Sequence, residues 1–169
     1  MFNRRQVVLG CGCAVAGCTT PRANADRITL QTLAPGVFMA RGASGEVSPA
    51  NLGRVGNVGF VQGPEGVLAI DTGTSFAHGQ ALMQALRGAT TAPLRLALVT
   101  HTRQEFLFGA PAFQAAGVPV HMHPAAATLM VSRCDRCLKT LQQTLGALAM
   151  QGTAMFKPDG VLADAATHE

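Results

Sequence analysis

Short apolar runs alternate with polar, glycine-bearing segments from Ile28 onward, and the period of the apolar positions changes partway along the chain. The first runs predict strands at Ile28–Leu33, Val37–Arg41, Val55–Gln62 and Val67–Asp71. From Phe76 to Arg87 the apolar residues Phe76, Leu82, Met83 and Leu86 form a stripe at helical spacing, which predicts a helix. A buried strand over Leu94–Thr100 follows, then a helix from Phe106 to Ala116 stopped by Gly117, and a strand over Val118–His123. The last apolar stretch predicts a helix over Ala125–Met150, broken near Cys134 or Gly146. Strand and helix alternate through this half, which argues for α/β layering. The glycine-rich pieces Gly42–Gly56 and Gly63–Gly66 read as loops. Neither opens a helix with a following Lys-Ser/Thr, so neither is a phosphate cradle.

The junction after the buried strand carries the chemistry: Leu96-Ala-Leu-Val-Thr-His101-Thr-Arg103-Gln-Glu105-Phe106-Leu-Phe-Gly109. Upstream, Leu68-Ala-Ile-Asp71-Thr-Gly73 ends another strand. Together these segments resemble the metallo-β-lactamase-fold hydrolases, in which an I-D-T-G strand end precedes T-H-x-H-x-D-H-x-x-G. Leu33-Ala-Pro-Gly-Val-Phe38 is similar to the family's opening strand, and Asn57-Val-Gly-Phe-Val61 with Gly66-Val-Leu-Ala-Ile70 to its first hairpin. The likeness covers Ile28 to Asp159. Ser48-Pro-Ala-Asn-Leu-Gly53 followed by Asn57-Val-Gly is most similar to the periplasmic branch associated with quinoprotein systems.

The resemblance implies a zinc site, and the motif shows what is left of it. The first histidine falls on His101, the second on Arg103, the aspartate on Glu105 and the third histidine on Phe106, while the trailing glycine stays as Gly109. A catalytic zinc needs three protein ligands and an open position for water. His101 is the one ligand kept intact, and Glu105 offers oxygen only with its longer stem repositioned. Arg103 always carries its proton, and at about 4 Å it would repel a divalent ion by roughly 8 kcal/mol at an effective dielectric near 20. His101 and Glu105 are therefore a vestigial metal set, with zinc weak or absent. Asp71 has two readings: the family's aspartate, which supports the metal loop from behind, or a local Asx-type turn before Gly73. His78, at the helix start, is expected to face solvent.

The resemblance further implies an αββα sandwich, and after Asp159 only Gly160 to Glu169 follow. The expected fold class is α/β, half of such a sandwich, with one mixed sheet, its helices and no C-terminal half. A half-sandwich leaves one sheet face apolar and uncovered, which marks either an interface for a partner chain or an aggregation risk. The sequence then reads as a fragment, a truncated product or half of an assembly.

The N-terminus adds an export signal. Met1 to Arg5 is short and basic, and Val7 to Gly17 is apolar, small and too short to span a bilayer. Two cleavage patterns compete. Val15-Ala-Gly-Cys18 resembles a lipobox that would place lipid on Cys18 and anchor the chain to a membrane, and Ala23-Asn-Ala25 fits ordinary A-x-A cleavage. Arg4-Arg5 is either a twin-arginine signal or a plain basic region. The domain reading is residues 1–25 as signal and 26–169 as the truncated domain, in the periplasm.

Of five cysteines, only Cys134 and Cys137 remain as free thiols under either cleavage. They are candidates for a strained i, i+3 disulfide, inert thiols, a redox pair or part of a metal site. His121 and His123 would complete a four-ligand set. The alternative for His123-Pro124 is a loop after a strand.

Composition bounds the rest. Of 169 residues about 145 remain after export, the size of one domain. The chain is 48% hydrophobic and 13% charged, which places it among globular proteins. Part of the net charge of +4 sits on Arg4, Arg5 and Arg22, and no basic run is interleaved with aromatics, so nucleic acid is not an expected partner. Three functions stay open: an exported pseudoenzyme or fragment of this fold, a zinc hydrolase completed by another chain, and a metal-binding or thiol-redox protein using His121, His123, Cys134 and Cys137.

Overall fold

The computed structural model describes residues 27–162, so Cys18 and the signal segment lie outside the described residues. Strands β1 (Leu30–Ala34), β2 (Val37–Ala40), β3 (Val58–Gly63) and β4 (Gly66–Ile70) form an antiparallel meander. The connections then lengthen and the pairing turns parallel. Helix α1 (Phe76–Ala89) leads to β5 (Leu94–Val99), α2 (Gln104–Leu107) and α3 (Ala110–Ala115) lead to β6 (Val120–Met122), and α4 (Pro124–Leu145) leads to the short β7 (Gly160–Val161). All seven strands lie in one mixed sheet in chain order. Hairpins suffice for antiparallel neighbours, whereas parallel neighbours need helical crossovers.

Register divides the sheet into two faces. Ala40 opposite Val58, Phe60 opposite Ala69, and Ala97 opposite Val120 lie on one face and are buried. They form the core with Leu82, Met83 and Leu86 of α1, Phe113 of α3, and Met130 and Leu141 of α4. The alternate positions, Val61 opposite Leu68, Leu68 opposite Leu96, and Ile70 opposite Leu98, are just as apolar. They remain partly open, with Val61 37% exposed. A strand alternates its side chains between faces, so a sheet apolar on both sides, with one side left uncovered by the described residues, is consistent with half of a two-layer design.

The elements follow the sequence pattern, with departures in one helix and one strand start and an added strand β7, and with Gly146 rather than Cys134 as the break of the final helix. The helix expected over Phe106–Ala116 is two pieces separated at Phe108 and Gly109. The final helix is continuous through Cys134 and ends at Leu145, where Gly146 takes φ 82°; glycine adopts this left-handed conformation without a Cβ clash. The strand expected from Val55 starts at Val58, because Asn57 turns its side-chain oxygen to the Gly42 amide.

Candidate metal centre

The loops that follow β4 and β5 meet at one end of the sheet. The chain leaves β4 through Asp71, whose φ of 67° is left-handed, a region in which Asp is one of the few residues tolerated. Its carboxylate accepts from the Thr100 amide at 2.8 Å and from Thr100 Oγ1 at 2.9 Å. These bonds bridge the ends of two strands, so the local turn offered as an alternative for Asp71 is not what its carboxylate forms. Burial raises the Asp71 pKa above the usual carboxylate value, against the Thr100 hydrogen bonds, which lower it.

Thr100 Oγ1 also lies 2.7 Å from His101 Nδ1. A hydroxyl has one proton to give. With that proton directed to Asp71, Oγ1 accepts from His101 Nδ1–H, and the Nε2 lone pair of the neutral ring is left as the ligand or base. His101 is thus a competent donor held by a built support.

The other motif positions do not join it. Arg103 Nε is 2.8 Å from Glu105 Oε1, pairing the guanidinium with the carboxylate that would have to ligate a metal. The carboxylate side is the buried partner, since Glu105 is 9% exposed. The Phe106 ring stacks on the His101 ring with centroids 4.7 Å apart, and a Cβ built on Gly56 would lie 2.6 Å from the Phe106 ring. At the position the resemblance gives to a third histidine, Phe106 thus presents only carbon to the His101 ring. The donor set on hand is one imidazole and one carboxylate already paired with a cation, which does not fit a catalytic zinc. Among the described residues no group of three or more His, Cys, Asp or Glu is arranged to hold a metal.

Beneath this broken motif the backbone is tightly laced. The Thr72 amide and hydroxyl both donate to the Phe106 carbonyl, at 2.8 and 2.9 Å, and the Gly109 amide donates to the Gly73 carbonyl at 2.9 Å. A Cβ on Gly109 would stand 1.8 Å from the Thr72 oxygen, so the motif's glycine is kept by a close approach of two backbones. Ser75 caps α1 by accepting from the His78 amide. The threonines and the cap are not singled out by the sequence pattern above, although a Ser directly before an apolar helical stripe is an N-cap signal.

His78 corrects the expectation of a solvent-facing ring. It is 3% exposed, and its Nδ1 accepts from the Thr74 amide at 3.1 Å. Burial first, and the Arg54 charge second, lower its pKa to about 3, so the ring is neutral.

The four-ligand set of His121, His123, Cys134 and Cys137 does not assemble. His123 caps α4 by accepting from the Ala125 amide. Cys134 is eleven residues further along the same helix, about 16 Å at the helical rise. His121 points to the sheet face opposite the buried Val120 and Met122, with its ring against Gly160. Cys134 and Cys137 are free thiols rather than a disulfide. Cys134 Sγ donates to the Thr102 carbonyl at 3.6 Å, and burial together with the Cys137 thiol pushes its pKa up to about 11.

Comparison with solved structures gives the fold. A metallo-β-lactamase from Pontibacter korlensis superposes with TM-score 0.59 at 18% identity, over 85% of this chain and 56% of that one. A second, from Hirschia baltica, gives 0.57 at 16% identity, over 83% and 54%. The chain has the metallo-β-lactamase fold. A metallo-β-lactamase from Erythrobacter litoralis agrees at TM-score 0.52 and 22% identity, over 63% and 46%. This metallo-β-lactamase-fold chain thus spans about half the length of the solved structures it matches. No protein-family model matches the sequence, and no curated protein matches it.

Proposed function

We propose that this chain is an exported metallo-β-lactamase-fold protein that does not hydrolyse by itself, in which the zinc loop has become a packed structural element. The observation that carries the reading is the Arg103–Glu105 ion pair at 2.8 Å beside a phenyl ring at the third ligand position. A zinc bound there would have to displace a cation from its carboxylate and find a third ligand where Phe106 has none. Retention of the Asp71–Thr100–His101 support and of Gly109 is accounted for by the hydrogen bonds and backbone contact they make, with no need for a metal.

The test is a zinc titration of the full chain beside the double variant Arg103→His, Phe106→His. The reading expects no saturable zinc site in the native chain and a gain in the variant, where two added imidazoles beside His101 would resemble the intact motif. Stoichiometric zinc in the native chain would sink it.

The export part rests on the basic start, the short apolar run and the two cleavage patterns at Cys18 and Ala25. The mass of the mature chain separates them: a lipid on Cys18 or an N-terminus at Asp26. The open sheet face of Val61, Leu68, Ile70, Leu96 and Leu98 supports a further protein layer against this chain. Charged substitution at Leu68 should abolish any such association in a sedimentation experiment.

A further inference from the structure

Cys134 and Cys137 lie one helical turn apart in the middle of α4. Cys134 is 1% exposed and Cys137 half-buried, so one thiol forms the floor of the pair and the other its entrance. The Cys137 thiol is near enough to add to burial in raising the Cys134 pKa. Cβ atoms at i and i+3 on a helix stand about 5–6 Å apart, beyond the roughly 3.5–4.5 Å a disulfide requires. A disulfide holds its sulfurs about 2.05 Å apart, whereas an ion with metal–sulfur bonds of about 2.3 Å lets them stand up to about 4.6 Å apart, so a bridging ion tolerates a Cβ spacing that strains a disulfide.

The surroundings select the kind of ion. No third His, Cys, Asp or Glu among the described residues joins the two sulfurs, which removes the tetrahedral set zinc prefers. Two thiolates alone suit a soft monovalent ion. Arg133 and Arg136, each directly preceding one of the cysteines, outnumber Asp135 between them, and this net positive charge along the turn disfavours a divalent ion and offsets the single negative charge of a two-thiolate complex of a monovalent one.

We propose that Cys134 and Cys137 form a two-coordinate site for a soft monovalent cation of the copper(I) class. On binding, each S–H bond breaks and its proton goes to solvent, two copper–sulfur bonds form, and copper stays in the +1 state. Cys134 then has no proton to donate to the Thr102 carbonyl, so occupancy is sensed in the loop that carries His101. The site is separate from the zinc motif and stands whether or not that motif holds zinc.

The test uses the full chain, reduced and anaerobic, titrated with copper(I) against a chromophoric copper(I) chelator. Cys11, Cys13 and Cys18 also carry thiols in the uncleaved chain, so the readout is a difference. Cys137→Ser should lose one equivalent of copper(I), and in the native chain that equivalent should slow alkylation of Cys137 by at least tenfold and shift the Thr102 amide resonance. Since Cys137 is half-buried and Ser is nearly isosteric, an unchanged thermal melt shows that the variant is folded; the alkylation readout in the native chain does not depend on the variant at all. Equal copper(I) uptake by the native chain and Cys137→Ser, or no protection of Cys137, overturns the proposal, as does equal protection by zinc.

Discussion

Gly109→Ala isolates the contact that holds the motif loop to the fold. The added Cβ meets the Thr72 oxygen at 1.8 Å, and a methyl carbon needs at least 3.0 Å, a shift of 1.2 Å. Gly109 has φ −76°, an ordinary value for alanine, so the cost is contact and not backbone conformation. Opening the gap stretches the two backbone bonds that flank it, Gly109 N–H to the Gly73 carbonyl and Thr72 N–H to the Phe106 carbonyl. Overpacking costs about 1–3 kcal/mol, and two weakened buried hydrogen bonds add about 1 kcal/mol each, giving a loss of roughly 3–5 kcal/mol. Gly88→Ala is the matched control, because a Cβ there meets nothing within 4 Å and the site is an exposed turn of α1. That substitution should gain roughly 0.5–1 kcal/mol from helix propensity. Urea denaturation followed by circular dichroism measures both. With a slope of about 2 kcal/mol per molar, Gly109→Ala should lower the midpoint by about 1.5 M or more. A change of less than about 1 kcal/mol at Gly109 would refute the backbone-contact reasoning.

The His78 ring should make the fold acid-sensitive. Its pKa is about 3 folded against 6.5 as the reference, so between these values the unfolded chain binds the extra proton and stability falls as pH falls, by up to about 1.4 kcal/mol per unit. His78→Asn, which keeps an acceptor for the Thr74 amide but cannot take a proton, should flatten the stability curve over that window; an unchanged slope would contradict the assignment. Asp71 acts in the opposite sense. Its folded pKa is raised above 3.8, so the native state holds its proton to higher pH and its contribution to stability grows as pH falls toward 3.8; Asp71→Asn should remove that component. Thr100→Val removes the hydroxyl shared by Asp71 and His101 and should cost about 1–3 kcal/mol. Nitrogen shifts of the His101 ring should then lose the preference for the Nδ1–H tautomer, and retention of that preference would argue against the Thr100 bond.

The strand–helix order is legible in the sequence because apolar periodicity alone separates β3 and β4 from α1 and β5 from α3. Both helix breaks come from glycine, one of them at the expected Gly146. Gly109 breaks a helix to let the Thr72 backbone in, a long-range contact no local pattern encodes, while Gly146 ends one by its own conformation. The motif is legible residue by residue, but not what Arg103 does with Glu105, since an ion pair two residues apart depends on rotamers and burial. His78 departs from expectation because a polar ring at a helix start is usually solvated. Its burial follows from the loop Asp71–Ser75, which turns inward and hands the ring the Thr74 amide. Cys134 and Cys137 are visible as a pair, yet only the continuous course of α4 shows that His123 is too far along the helix to join them.

The proposed function requires the motif loop to be a closed structural element rather than a metal site. Native mass spectrometry of the full chain with one equivalent of zinc, alongside Arg103→His, Phe106→His, tests it most directly. The account predicts metal-free native chain and a zinc adduct on the double variant. A stoichiometric zinc adduct on the native chain that disappears in His101→Ala would contradict it.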